Sequence, residues 1–331
     1  MDNELLLFDR LEVIKATNQK YDLEHNAYLS FSGGKDSTIV HYLLDMALPN
    51  NRIPRVFIDT GIEYTMIRDF VLGLAKNDDR FVILKPTKPI KQTLESVGYP
   101  FKSKQHSHNI MVYQHNKEQF KEIKKAIDSD MTLLQNYEFI HSLPIGIKTL
   151  VKYYYGVRER ERCMSILIVP KTLKYQMEGG LNIKVSDKCC LELKKKPIHL
   201  WEKQVGRFVA ITGMRKEEGG TRQLISGCVL TDNNGNLKKF HPLLVVNDEW
   251  EEWAIEQKGM KVCDLYKAPY NFKRTGCCGC PFALDLQEQL ETMEKYLPNQ
   301  RKQAEFIWKP VYDEYRRLGY RLKKVEKIKL F

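Results

Sequence analysis

The hexapeptide SGGKDS at residues 32–37 constrains the fold more than any other part of the chain. An apolar run at 27–32 leads into it, and residues 38–47 follow with apolar positions at the spacing of a helix packed on a sheet. The two glycines let backbone N–H groups approach a ligand, the helix start adds partial positive charge, and Lys35 adds a full one. The pattern predicts a strand, an anion-binding loop that fits a phosphate, and a helix.

Two familiar nucleotide motifs do not match this loop. A Walker A loop has four residues between its first glycine and Gly-Lys, then a serine or threonine after the lysine, where this chain has Asp36. The three spaced glycines of dinucleotide-binding folds do not occur in the loop either. The site is therefore neither a kinase-like P-loop nor a dinucleotide site.

Strand-like and helix-like segments alternate after the loop. Residues 55–59 and 81–84 are strand-like, 63–75 is helix-like, and a fourth strand is predicted at 207–212. Such alternation indicates right-handed βαβ crossovers, an α/β fold and a parallel sheet flanked by helices.

The chain divides into three parts on these patterns. Residues 1–26 read as an N-terminal helical extension, and 27–245 as the nucleotide-binding domain with a helical insertion at about 100–205. Residues 246–331 form a C-terminal helical region, which Asn247 opens as a helix cap after a polar turn at 231–236.

The loop resembles the PP-loop of the adenine nucleotide alpha-hydrolase superfamily, whose members bind ATP or an adenylyl compound. FIDTGIEYTMIRDF at 57–70 and AITGMRKEEGGTR at 210–222 resemble the phosphoadenosine phosphosulfate (PAPS) reductase branch. The resemblance implies catalytic roles for Lys35 and Asp36. It also implies nucleotide binding by the residues Ser32, Gly33, Gly34, Lys35, Asp36, Ser37, Asp59 and Thr60. An alternative for Asp59 or Thr60 is a simple helix cap. The resemblance also assigns Arg215, Arg222 and Lys104 to the substrate's phosphate or sulfate oxygens.

Eight cysteines include two tight clusters, Cys189-Cys190 and the run from Cys277 to Cys280. Four thiolates suffice for a tetrahedral zinc or an iron–sulfur cluster, and spacing alone leaves both open. DKCCLELKKKPIHLW and RTGCCGCPF resemble the segments that hold a [4Fe–4S] cluster in adenylyl sulfate reductases and in DNA phosphorothioation sulfurtransferases. The resemblance thus implies Cys189, Cys190, Cys277 and Cys280 as ligands and an iron–sulfur C-terminal region. Cys278 is an extra cysteine inside the second cluster, so it could replace either neighbour as a ligand or serve as a nearby free thiol with a catalytic role.

The N-terminal sequence and the net charge indicate the cellular location and the kind of partner. The N-terminus lacks the basic start and apolar middle of a secretory signal, and no run approaches bilayer length, so a cytoplasmic protein without a membrane partner is expected. A formal net charge of +11 favours an anionic partner, either a nucleic acid or a polyanionic nucleotide.

Three functions compete. The first is a sulfurtransferase that binds ATP with Mg²⁺, activates an acceptor as an adenylate, and takes sulfur from a donor such as a cysteine desulfurase. The second is a reductase of adenylyl sulfate or PAPS in which Cys278, Cys228 or Cys263 is a non-standard nucleophile, since no cysteine follows Cys280 where the reductases carry theirs. The third is a zinc-stabilised nucleic-acid-binding module with an inactive nucleotide loop.

Overall fold

The computed structural model describes residues 2–157 and 168–324. Cys163, the basic run at 158–162 and the end of the C-terminal basic stretch lie outside the described residues. The chain forms two compact units, the first made of Met1–Thr87 and Leu193–Cys278 and the second of Lys88–Glu192 and Gly279–Phe331. The three-part division at 1–26, 27–245 and 246–331 has other limits and stays a prediction.

Six strands and thirteen α-helices are found in the described residues. The strands are β1 (Ala27–Ser30), β2 (Arg55–Ile58), β3 (Phe81–Leu84), β4 (Val209–Ile211), β5 (Val229–Thr231) and β6 (Leu237–Phe240). The helices are α1 (Asn3–Tyr21), α2 (Leu23–Asn26), α3 (Lys35–Ala47), α4 (Thr65–Ala75), α5 (Ile90–Val97), α6 (Lys104–His115), α7 (Lys117–Ser129), α8 (Tyr137–Ser142), α9 (Ile145–Tyr155), α10 (Lys196–Val205), α11 (Asp248–Gln257), α12 (Leu286–Tyr296) and α13 (Pro298–Leu318). No helix of the described ranges is both long and apolar enough to cross a membrane.

The first unit contains one six-stranded sheet in the order β3-β2-β1-β4-β6-β5. All neighbouring strands run parallel except β5, which is antiparallel to β6. β2 and β3 follow one another on one side of β1, and β4 lies on the other side of β1. The α/β fold with a mainly parallel sheet is confirmed, and its strand order reverses between β1 and β4, where open sheets bind ligands.

One face of the sheet packs against α10. Tyr28 and Val56 form a buried cluster with Trp201, and the Tyr28 and Trp201 rings meet edge to face with centroids 5.3 Å apart. The Tyr28 hydroxyl donates to Glu202 at 2.7 Å, so its polar end is satisfied within the core. Aromatic packing and this hydrogen bond fix the position of β1 at the centre of the sheet. The glycine loop follows directly after β1.

A buried network of charged and polar groups lies at the amino ends of β2 and β3. The Arg55 guanidinium is fully buried and donates to Asp45 at 2.7 Å and to Asn51 at 2.8 Å. Arg80 donates to the same Asp45 carboxylate at 2.7 Å. These groups satisfy one another, so we assign them to the stability of the sheet.

The second unit is helical in the described ranges, and a buried histidine ties its helices together. His106 of α6 is 1% exposed, with Nδ1 2.7 Å from the Tyr153 hydroxyl of α9 and Nε2 2.8 Å from Gln176 Oε1. Burial lowers the pKa of His106 to about 4, so the ring stays neutral and structural. Tyr315 of α13 accepts from the Lys102 N–H at 2.8 Å and donates to the Pro281 carbonyl at 2.9 Å.

Candidate functional site

The glycine loop leaves β1 at the reversal of the strand order. β1 ends at Ser30, and α3 begins at Lys35 with Gly34 as its extended N-cap residue. The first N–H groups of α3 therefore point out of the carboxyl edge of the sheet, where a helix start attracts an anion. The predicted strand, loop and helix are confirmed, although the helix starts three residues before 38.

Hydrogen bonds within the loop hold its shape. The Ser32 N–H donates to Ser37 Oγ at 3.2 Å, and the Gly34 N–H donates to Ser32 Oγ at 3.2 Å. The Ser37 hydroxyl donates in turn to the Gly34 carbonyl at 3.0 Å. The side chains of Ser32 and Ser37 thus form hydrogen bonds within the loop, and these bonds preorganise the loop backbone for a ligand.

Two glycines permit close approaches that no side chain would allow. Gly33 has φ +71°, and a Cβ there would lie 2.7 Å from Val71 and 2.8 Å from Ile67 of α4. Gly213, just after β4, lies so close to the start of α3 that a Cβ would be 2.8 Å from the Asp36 carbonyl carbon. The loop is therefore clamped between α4 on one side and the end of β4 on the other.

Lys35 faces a buried carboxyl group. Its Nζ lies 3.1 Å from Glu251 Oε2, and the Glu251 side chain on α11 is fully buried. Burial, followed by the charge of Asp36, raises the pKa of Glu251 to about 8. The lysine of the loop is therefore oriented by an acid from a helix more than 200 residues further along the chain.

Arg215 is the second cation at the loop, and it is 4% exposed. Its Nε donates to Asp36 Oδ1 at 2.8 Å, and a terminal nitrogen donates to Asp248 at 2.7 Å. Although burial opposes ionisation, the charges of Glu251 and Asp36 raise the pKa of Arg215. The Arg215 guanidinium therefore links the first turn of α3, through Asp36, to the first turn of α11, through Asp248.

A cavity of about 910 Å³ opens in front of these groups, lined by Gly34, Lys35, Asp36 and Arg215. Arg222, 40% exposed and 3.1 Å from Glu218, also lines it. The structure thus brings together the loop, Arg215 and Arg222 in the first unit, as the sequence predicts. Lys104 is an exposed residue of α6 in the second unit, so its anion-binding role stays a prediction.

Further cations of this cavity were missed by the sequence analysis. They lie in the segment before the second cysteine cluster and are Lys267, Lys273 and Arg274. In the same segment the Tyr266 hydroxyl bonds to Thr275, and a Cβ at Gly34 would be 3.3 Å from the Tyr266 hydroxyl. The adjacent Lys-Arg pair, whose arginine is the first residue of RTGCCGC, was the available signal.

Asp59 and Thr60 follow β2 at the same edge of the sheet, as predicted for a parallel neighbour of β1. Asp59 accepts from Arg68 at 2.9 Å and from the Gly61 N–H at 3.2 Å. Thr60 donates through its N–H and hydroxyl to the Glu63 carboxylate at 2.9 and 2.8 Å. These contacts shape the turn before α4, and direct nucleotide binding by the two residues stays a prediction.

The cysteines of the described residues are buried or partly buried. Cys278 is fully buried, and its N–H donates to the Ile62 carbonyl at 2.7 Å. Burial, with the neighbouring Cys277 and Glu63, raises the pKa of Cys278 to about 12, which disfavours the thiolate that a nucleophile needs. In the second unit, the Cys189 and Cys190 sulfurs are 4.0 Å apart.

Across residues 2–157 and 168–324, no three histidine, cysteine, aspartate or glutamate side chains are grouped as the ligands of a metal ion would be. None of the seven cysteines in these ranges forms a disulfide. The metal-ligand roles of Cys189, Cys190, Cys277 and Cys280 stay a prediction, as does the catalytic role of Cys278.

Fold and site together define an α/β protein with a glycine-rich loop of the PP-loop type at the reversal of its strand order. The family model for the phosphoadenosine phosphosulfate reductase domain matches residues 26–140 and 154–283. The chain belongs to this family.

Individual relatives are more distant. An uncharacterized protein of Methanocaldococcus jannaschii is 32% identical over 101 residues, which cover 30% of this chain and 24% of that relative's length. The PAPS reductase of Candida auris, solved as a phosphate complex, aligns at 13% identity and a TM-score of 0.43, over 81% of this chain and 87% of that one. The U34-tRNA thiolase NcsA of Methanococcus maripaludis, solved with its [4Fe–4S] cluster, aligns at 13% identity and a TM-score of 0.35, over 96% of this chain and 80% of that one.

Proposed function

We propose that the chain is an adenylating sulfurtransferase: it binds ATP at the loop, activates an oxygen of an acceptor as an adenylate, and exchanges that oxygen for sulfur. The observation that carries the proposal is the cavity of about 910 Å³, which joins the helix start, Lys35 and Arg215 in one unit. A nucleoside triphosphate fits a cavity of this size. Its cations suit a polyphosphate, whose Mg²⁺ would arrive with the nucleotide.

The residues of the loop and Arg215 would stabilise negative charge on the phosphates and hold the nucleotide in position. The backbone N–H groups at the start of α3 and Lys35 would hold the phosphates, and they stabilise the charge that develops when the acceptor oxygen attacks the α-phosphorus and pyrophosphate leaves. Asp36 bonds to Arg215 and so fixes the guanidinium at the cavity wall. A sulfur nucleophile then attacks the activated carbon, and AMP departs with the oxygen.

Cys189, Cys190, Cys277 and Cys280 are the proposed ligands of a [4Fe–4S] cluster. Four thiolates are the usual donor set for such a cluster, and the family resemblance of both segments favours iron over zinc. When bound, the cluster would supply a site at which sulfur from a donor, such as a cysteine desulfurase, is held. The thiols require a reducing compartment such as the cytoplasm.

The reductase is the second candidate, and one observation weighs against it. A reductase needs a reactive thiol in the chain, yet Cys278 and Cys263 are both buried and burial raises the pKa of each. Cys228 remains, partly buried, with its sulfur accepting from Arg10 at 3.3 Å. The basic surplus of the chain fits a nucleic-acid acceptor for the sulfurtransferase and also the third candidate, a zinc-stabilised binding module.

One experiment separates the three. The protein is purified without oxygen, assayed for iron, zinc and acid-labile sulfide, and incubated either with ATP, sulfide and bulk tRNA or with adenylyl sulfate or PAPS and a thiol reductant. AMP and pyrophosphate formed with thiolated RNA support the proposal, whereas sulfite from the sulfonucleotide supports the reductase. Zinc without iron, and no turnover of either nucleotide, would leave the binding module.

A further inference from the structure

Glu251 is a carboxyl group that no sequence motif singles out, yet it contacts both cations at the nucleotide loop, Lys35 and Arg215. One oxygen lies 3.1 Å from Lys35 Nζ and the other 3.2 Å from Arg215 Nε. Neither oxygen accepts a hydrogen bond of normal geometry, and the side chain is fully buried. An ionised carboxylate without directed hydrogen bonds is costly in such a place.

The neighbouring charges make ionisation still less favourable. Arg215 already pairs with Asp36 at 2.8 Å, Asp248 at 2.7 Å and Glu217 at 3.3 Å. If Glu251 were also charged, four carboxylates would contact Lys35 and Arg215. The attraction of these two cations for a polyphosphate would then be weakened, which opposes binding.

The surroundings of Glu251 identify the groups that set its ionisation. Helix α3 contributes Lys35 and Asp36, and the segment after β4 contributes Arg215. On α1, which also packs against α11, Glu4 pairs with Lys258 at 2.9 Å instead. Burial and the Asp36 charge outweigh the two cations, so the pKa of Glu251 rises to about 8.

We propose that Glu251 is a positioning residue of the nucleotide loop: its protonated form leaves the charge of Lys35 available to phosphates, and its ionised form holds Lys35 and repels them. The inference rests on the proposed nucleotide binding at this loop. It deepens that function by coupling nucleotide affinity to one proton on one carboxyl group.

The direction of the pH effect follows from linkage. Bound phosphates disfavour the ionised carboxylate, so the pKa of Glu251 is higher in the complex and binding takes up a proton. Affinity is therefore full below a pH of about 8 and falls above it. Raising the pH from 7.5 to 9.0 should therefore raise the Kd for ATP several-fold and increase the proton uptake per nucleotide.

Calorimetric titration with ATP at constant Mg²⁺ tests this, at both pH values and in two buffers of different ionisation enthalpy. The γ-phosphate of ATP is ionised over this range, so its own titration contributes little. Glu251→Gln imitates the protonated acid and should bind ATP equally at both pH values with no linked proton. Glu256→Gln is the matched control, because it removes the same charge from an exposed position of the same helix, and it should behave as wild type.

The outcomes separate the inference from the function on which it rests. ATP binding by wild type without a pH slope or proton uptake, or an unchanged slope in Glu251→Gln, overturns the inference alone. No ATP binding by wild type at either pH overturns the proposed function. The proton count of the wild-type protein decides the question even if Glu251→Gln fails to fold.

Discussion

Replacing Gly213 with alanine should damage the nucleotide loop without touching any charged residue. The added Cβ would lie 2.8 Å from the Asp36 carbonyl carbon and from Asp36 Cβ, roughly 0.6 Å inside ordinary van der Waals contact. Because these neighbours include backbone of the first turn of α3, relief of the clash requires β4 or the loop to move. Overpacking of this kind costs about 1 to 3 kcal/mol of unfolding free energy.

The loop should lose affinity as well as stability. A shift of the first turn of α3 displaces the N–H groups and Lys35 together, so the Kd for ATP should rise by about tenfold, equivalent to about 1.4 kcal/mol. Urea unfolding followed by circular dichroism gives the stability change, and calorimetry gives the Kd. Gly227→Ala is the matched control, since no atom lies within 4 Å of its added Cβ, and it should change stability by less than about 0.5 kcal/mol. A Gly213→Ala protein with wild-type stability and wild-type Kd would refute the close approach of β4 to the loop.

Three further substitutions test the site. Lys35→Ala should cost about 2 to 4 kcal/mol of transition-state stabilisation in single-turnover AMP formation while iron content stays unchanged, and turnover equal to wild type would contradict the nucleotide role of the loop. Cys189→Ser should lose iron and acid-labile sulfide on anaerobic purification, whereas Cys228→Ser should keep both; full iron content in Cys189→Ser would remove it from the ligand set. Cys278→Ser should lower the unfolding free energy by about 1 to 2 kcal/mol, because it buries a hydroxyl group. Its turnover should stay within about threefold of wild type. A collapse of turnover in folded protein would instead assign this thiol as nucleophile or sulfur carrier.

The sequence predicted best where a local pattern decides the structure. Residues 32–37 follow a buried strand and open a helix, so their place in the fold needed no distant contact. Asn247 is also a local signal: its side chain accepts from the Trp250 N–H at 2.9 Å and caps α11. Arg215 was found through the family pattern that surrounds it.

The missed features depend on packing between distant segments. Glu251 stands in WEEWAIEQ, which reads as an amphipathic helix with solvated acids. In the structure α11 packs against α1 and α3, and the Glu251 side chain is fully buried. The β5–β6 hairpin flanks the predicted turn at 231–236, but its strands are short, and exposed Lys238 and Lys239 interrupt the alternation of β6. Neither the burial of an acid nor the pairing of such strands has a local signature.

The central position of β1 has a consequence for the order in which the protein can be made. β1 pairs with β4 through Ala27 and Val209, so the partner of the sheet's central strand is translated long after β2 and β3. At about 5 to 20 residues per second, a ribosome takes roughly 10 to 40 seconds to synthesise the intervening chain. During that time one edge of β1 has no strand beside it, and the nascent chain exposes a surface that pairs readily with other extended segments. Fragments that stop before β4 should therefore aggregate, and the full chain should give more native protein when synthesis is slow and chaperones are abundant.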